Sequence, residues 1–323
     1  MSGKTVQDGG PRATSWAEVV RLRTLPAAVA PVILGSGAAA ATGDLSGVRS
    51  LLAAGVALAL QVGCNLANDY SDGVRGTDDE RTGPPRLTAS GQVAPRTVKL
   101  AAFGCFGLGA LLGLGLLALS GQWWLLAVGA AAIAAAWFYT GGSRPYGYAG
   151  LGELFVFIFF GLVATAGTTY VQADTVPGWL WPSACGIGLL ACSLLMVNNL
   201  RDIDTDPDHG KMTLAVRLGE RGARRAFSAM LYLPLLLGAV ALVWARETGS
   251  ASPADGGGHV SPLLTLVIAL TVPFLLLPLV RRATAPVRAG ARGRDLIGSL
   301  REAGLLELAY GIVFAAATVI ITL

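Results

Sequence analysis

Nine long, mostly apolar runs occupy this chain, at approximately 24–43, 51–68, 98–119, 123–140, 151–171, 179–198, 226–245, 261–280 and 303–323. Each is near the roughly 20 residues that an α-helix needs to cross a bilayer. In hydrocarbon every backbone N–H and C=O must be satisfied within the protein, which leaves helices or closed barrels, and runs of this length are helical. Composition agrees: 53% of the 323 residues are hydrophobic and only 14% are charged, against roughly 25% charged in soluble domains. The expected fold is an all-α polytopic membrane protein of nine transmembrane helices around a central chamber. Residues 1–20 lack a basic-then-apolar signal pattern and read as a mobile cytoplasmic arm, with 21–323 as one transmembrane domain.

The basic residues orient the layout. Of 24 Lys and Arg, all but Arg49 and Arg246 fall on one set of alternating loops. By the positive-inside rule the N-terminus is cytoplasmic and the C-terminus outside. Ser120-Gly121-Gln122 reads as a tight outer turn, and Trp123, Trp124, Trp179 and Trp181 as interface anchors. Gly109-x-x-x-Gly113 suits close helix approach, lipid-tolerant filler being the competing reading. The Gly/Ser-rich run 246–260 reads as a connector.

Two acidic motifs close apolar segments on the same expected side. In NLANDYSDGVRGTDD, Asn65, Asn68, Asp69 and Asp72 stand three, four and seven positions apart and share a helix face. In NNLRDIDTD, Asn198, Asp202 and Asp206 are spaced by four. Asn198 follows Asn65, and Asp202 follows Asp69, by the same 133 positions. Each motif precedes a polar stretch expected to hold a short helix, roughly 73–96 and 207–224, with Arg86-Leu-Thr88 and Lys211-Met-Thr213 within them. The pattern reads as a degenerate internal repeat, chance similarity between short polar runs being the alternative.

Carboxylates beside lipid are costly unless they pair or hold a cation. Four scattered cysteines and two histidines, His209 and His259, supply neither a zinc pattern nor a histidine-rich centre. Carboxylate and amide oxygens are hard ligands suited to Mg²⁺, which completes its shell with water and substrate phosphates. Arg23, Arg75, Arg81, Arg86, Arg144, Arg201 and Lys211 are placed to pair phosphate oxygens. A diphosphate held by metal with a greasy tail between helices fits this mixture. Its departure from an allylic carbon needs developing negative charge stabilised, and water kept away.

These motifs resemble the UbiA superfamily of intramembrane aromatic prenyltransferases, whose pattern is NDxxDxxxD after the second helix and DxxxD after the sixth. Asn68-Asp69-x-x-Asp72 matches the first and Asp202-x-x-x-Asp206 the second, while Gly76 stands where the first pattern ends in Asp. Asp78 or Asp79 is the candidate replacement. RLRTLPAAVAPVILG, GGSRPYGYAGLGELFVFIFFGL and NNLRDIDTDPDHGKMTLAVRLG are similar to the 1,4-dihydroxy-2-naphthoate polyprenyltransferases of menaquinone synthesis. The resemblance implies nine helices, Mg²⁺, and transfer of a polyprenyl chain from its diphosphate to the naphthoate with decarboxylation. It implies metal and diphosphate positions at Asn68, Asp72, Asp202 and Asp206, with Asn65, Asp69 and Asn198 beside them. Arg144 or Lys211 is expected to orient the acceptor carboxylate.

Competing readings attach to several residues. Asp69 and Asp204 suit solvated helix ends or salt bridges, and Arg201 the neutralisation of Asp202 or Asp204. The run Arg281 to Arg294 suits an anionic-lipid anchor. Tyr139 and Tyr146 suit stacking on an aromatic acceptor, Tyr148 interface anchoring, and Glu153 a secondary intramembrane site. Among other functions, 4-hydroxybenzoate is an alternative acceptor. A CDP-alcohol phosphotransferase requires Ala-Arg where Gly76-Thr77 stands, and a cation-coupled transporter favours sites near the bilayer midplane.

Overall fold

In the computed structural model the described residues are 21, 24–76, 87–249 and 260–322. The expected arm, Arg23, Asp78, Asp79, Arg81, Arg86 and His259 lie outside them. Among the described residues nine helical segments follow in order: α1 (Leu25–Ala41), α2 (Gly47–Arg75), α3 (Pro95–Ser120), α4 (Leu125–Phe138), α5 (Gly152–Ala173), α6 (Leu180–Arg201), α7 (Leu214–Gly249), α8 (Pro262–Arg288) and α9 (Ile297–Thr322). Seven are long and apolar enough to cross a membrane. The other two, α1 and α4, are apolar but only 17 and 14 residues long. At about 1.5 Å per residue α4 spans roughly 21 Å, short of the bilayer's hydrocarbon thickness.

Several bounds differ from the sequence expectation, and for local reasons. Helix α2 runs seven residues past the apolar stretch because Gly76 ends it in a left-handed conformation (φ 74°), its N–H closing on Asp72 and Gly73 carbonyls. Glycine takes that conformation without the Cβ penalty. This is the physical meaning of the departure at Gly76: the position is a helix stop. The first expected short helix is divided between the end of α2, turns at 87–91 and residues outside the description. The second is a single 3₁₀ turn, Pro207–His209, followed by a short opening turn of α7 set off from the rest at Gly219 (φ 67°, ψ 165°). In α5 the stretch Phe157–Val163 is a π-helical segment, a form that often marks functional sites.

Helices α1, α6, α7, α8 and α9 share the largest core, around Leu34, Ile187, Phe227, Leu242 and Phe314. A smaller cluster joins α2 to α3 through Leu66, Ala102 and Phe106. Small residues let backbones meet: a Cβ on Gly161 of α5 would lie 2.5 Å from the Cα of Gly188 in α6. Gly109 plays that part against Leu60 of α2, whereas a Cβ on Gly113 would meet nothing nearer than 3.9 Å. Trp123, Trp124 and Trp181 are exposed, as membrane-interface anchors require, but Trp179 is 8% exposed and packs in the core.

Candidate functional site

A cavity of about 570 Å³ is enclosed by helices α1 to α6. Its body is apolar, walled by Leu60, Leu114, Leu126, Phe155, Phe159 and Phe160. At its polar end the two acidic motifs face each other: Asn65, Asn68 and Asp72 from the last turns of α2, and Asn198, Asp202 and Asp206 from the end of α6. Helical hydrogen bonding continues past α6, since the Asp202 amide donates to Asn198 and the Asp206 amide to Asp202. The three side chains therefore keep the i,i+4 relationship their spacing implied.

The segment between α4 and α5 clamps the motifs together. Tyr148 donates its phenol hydrogen to Asp72 Oδ1 at 2.9 Å, and its carbonyl accepts the Met212 amide at 2.9 Å. Thr140 donates to Asn68 Oδ1 at 2.8 Å. Arg75 donates to the carbonyls of Thr140 and Gly142. The Tyr148 ring lies beneath two cations, 5.6 Å from the Arg75 guanidinium carbon and 5.2 Å from Lys211 Nζ. Tyr148 is thus part of the site rather than an interface anchor.

Charge is matched closely. Asp72, 2% exposed, has Lys211 Nζ at 3.7 Å from Oδ2. Arg201 grips Asp202 with two bonds of 2.8 and 2.6 Å and reaches Asn198 Oδ1 at 3.0 Å. Asp204 points away, 77% exposed in its side chain, with Arg292 at 3.9 Å. Burial pushes the Tyr146 phenol well above its ordinary pKa. Tyr146 stacks on Phe155 with centroids 4.1 Å apart at the cavity wall.

Other expected site residues are placed differently. Asp69, fully buried, does not line the cavity; it accepts the Leu87 and Thr88 amides at 3.1 and 3.0 Å and so pins the chain beyond α2. It is not a solvated helix end, and among the described residues it makes no salt bridge. Arg75 supports the α4–α5 segment from outside the cavity, and Arg144 is exposed away from it. Arg23 and Arg86 lie outside the described residues. Conversely, Arg21, Thr24 and Gln61 line the cavity without having been singled out as site residues. Gln61 Nε2 and Asn65 Nδ2 both donate to the Thr24 hydroxyl, at 3.0 and 3.2 Å. The signal for Gln61 was present, four residues before Asn65 on the same helix face.

The donor set suits a hard cation. Among the described residues no three His, Cys, Asp or Glu side chains are near enough to form a cage unaided. Asn68, Asp72, Asp202 and Asp206 instead present amide and carboxylate oxygens from two sides, a set that fits Mg²⁺ arriving with phosphate oxygens and water.

Solved structures of UbiA homologs superpose on the fold: one from Aeropyrum pernix, 19% identical, has a TM-score of 0.62 over 96% of this chain and 100% of that one. Another, from Archaeoglobus fulgidus bound to DMAPP and Mg²⁺, is 14% identical with a TM-score of 0.59 over 94% and 99%. A 1,4-dihydroxy-2-naphthoate octaprenyltransferase of Mycobacterium tuberculosis is 48% identical over 94% of this chain and 96% of its own length. One from Escherichia coli is 42% identical over 68% and 73%. The UbiA prenyltransferase family profile matches residues 28–288, spanning both acidic motifs and most of the cavity wall. An integral membrane protein with these motifs, this fold and these relatives belongs to the UbiA prenyltransferase family.

Proposed function

We propose that this protein transfers a polyprenyl chain from a polyprenyl diphosphate to 1,4-dihydroxy-2-naphthoate with loss of the ring carboxylate, giving demethylmenaquinol. The observation that carries the proposal is the cavity's division into an apolar body and a mouth of paired acidic and basic groups. The naphthoate octaprenyltransferases at 48% and 42% identity support the choice of acceptor.

Asn68, Asp72, Asp202 and Asp206 would hold Mg²⁺, which would supply positive charge against the departing diphosphate. Tyr148 and Arg201 hold Asp72 and Asp202 in place for that task. Lys211 and Arg21, both at the cavity wall, meet phosphate oxygens or the acceptor carboxylate. Arg144, outside the cavity, is the weaker choice for orienting the carboxylate. The leucine and phenylalanine wall takes the prenyl tail and keeps water from the allylic cation. The ring attacks at its carboxylate-bearing carbon, and carbon dioxide leaves as aromaticity returns.

The protein resides in a bacterial cytoplasmic membrane, with nine crossings that include the short α1 and α4. The N-terminus and the acidic mouth face the cytoplasm and the C-terminus faces outside. The distribution of basic residues supports that orientation. Purified protein given a polyprenyl diphosphate, Mg²⁺ and carboxyl-labelled naphthoate should release labelled carbon dioxide in step with prenylated product. A product that keeps the label, or a preference for 4-hydroxybenzoate, would overturn the assignment.

A further inference from the structure

Glu153 is a buried carboxylate near the cavity that the scheme above leaves without work. It sits at the start of α5, 5% exposed. Its Oε1 accepts the side-chain amide of Asn199 at 3.1 Å, and its Oε2 has no partner among the described residues. Asn199 lies on α6, three residues before Asp202, and unlike Glu153 it lines the cavity. Among the described residues the bond to Glu153 is the one side-chain hydrogen bond Asn199 makes. A carboxylate that holds an amide NH₂ group turns the amide carbonyl away from itself, on a residue that lines the cavity. Three residues along a helix amount to about 4.5 Å, so Asn199 stands on the inner side of Asp202, next to Asn198. The ring of Tyr139 and the stacked Tyr146–Phe155 pair line the same cavity.

We propose that Asn199, oriented by Glu153, is a recognition point for a phenolic hydroxyl of the aromatic acceptor. The proposal deepens the function argued above and rests on it. A hydroquinone brings O–H donors into a chamber whose wall is otherwise largely apolar, where a hydrogen bond left unmade is costly. The Asn199 carbonyl accepts one of them. Asn199 then touches substrate, whereas Glu153 is a positioning residue that acts through it.

The test compares 1,4-dihydroxy-2-naphthoate with its two monomethyl ethers, in wild type, Asn199→Ala and Glu153→Gln. In wild type one ether should lose about ten-fold in kcat/KM relative to the parent acceptor, the scale of one hydrogen bond. In Asn199→Ala the acceptor KM should rise about ten-fold, the donor KM should stay within two-fold, and discrimination against that ether should vanish. Glu153→Gln, which keeps side-chain volume, should move the acceptor KM in the same direction, and it replaces the alanine variant if the latter does not accumulate. Unchanged acceptor KM with discrimination intact, or a loss confined to the donor KM, would overturn the proposal while leaving naphthoate prenylation standing. A wild-type protein that does not prenylate naphthoate at all would instead remove the function on which the proposal rests.

Discussion

The Tyr148 phenol and the Asp72 carboxylate, 76 residues apart in sequence, meet at 2.9 Å. Because the Tyr148 carbonyl also takes the Met212 amide, one residue ties the first acidic motif to the segment that follows the second. Tyr148→Phe keeps the ring beneath Arg75 and Lys211 but removes the bond to Asp72. Bonds to charged groups are worth about 1.5–3 kcal/mol, so turnover should fall roughly ten-fold or more with the fold intact. Steady-state kinetics beside a thermal unfolding curve checks this; full activity would mean that Asp72 needs no tether.

Asp72→Asn and Asp206→Asn each remove one charge from a different motif. Both should reduce turnover by on the order of 100-fold or more, with unchanged helical content and chromatographic behaviour. Mg²⁺ titrations should show weaker activation in both variants. If one variant kept wild-type activity, the shared-site scheme would need a different carboxylate.

Asp69 makes the opposite prediction. It spends both oxygens on the Leu87 and Thr88 amides, and leaving those donors unpaired costs about 1–3 kcal/mol each. Asp69→Ala should lower the unfolding temperature, and Asp69→Asn, with one acceptor oxygen left, should lower it less. Turnover measured well below the new transition should persist in Asp69→Asn. Loss of turnover with unchanged thermal stability would place Asp69 in the binding machinery after all.

Orientation can be read by labelling. In a background with Cys64, Cys105, Cys185 and Cys192 replaced by Ala, Ser90→Cys and Asp208→Cys should react with an impermeant thiol reagent only from the cytoplasmic face. Asp44→Cys, in the turn between α1 and α2, should react from the other face. All three positions are exposed. Labelling of positions 90 and 208 from opposite faces would be incompatible with one acidic mouth.

By itself the sequence determined the solvent and the chemistry. Runs of about 20 apolar residues leave the backbone little choice but helix in lipid. Hard oxygen ligands at i,i+3 and i,i+4 spacing at the ends of two such runs point to a cation and a phosphate wherever the helices meet. What only the tertiary structure decided is which side chain of each motif faces inward. Asp69 and Asp72 lie about 60° apart around the α2 axis, too little for periodicity to rank them, and packing turned one to the backbone amides of 87–88 and the other to the cavity. Tyr148 was legible only as an aromatic near an expected interface, because its partners Asp72 and Met212 come from segments distant in sequence. Glu153 stood out as a carboxylate in an apolar run, but its partner Asn199 had to come from the contact of α5 with α6. Helix and hydrophobic burial follow from local composition, whereas hydrogen-bond partnership between helices is set by how their faces rotate when they pack, and that information is spread over the whole chain.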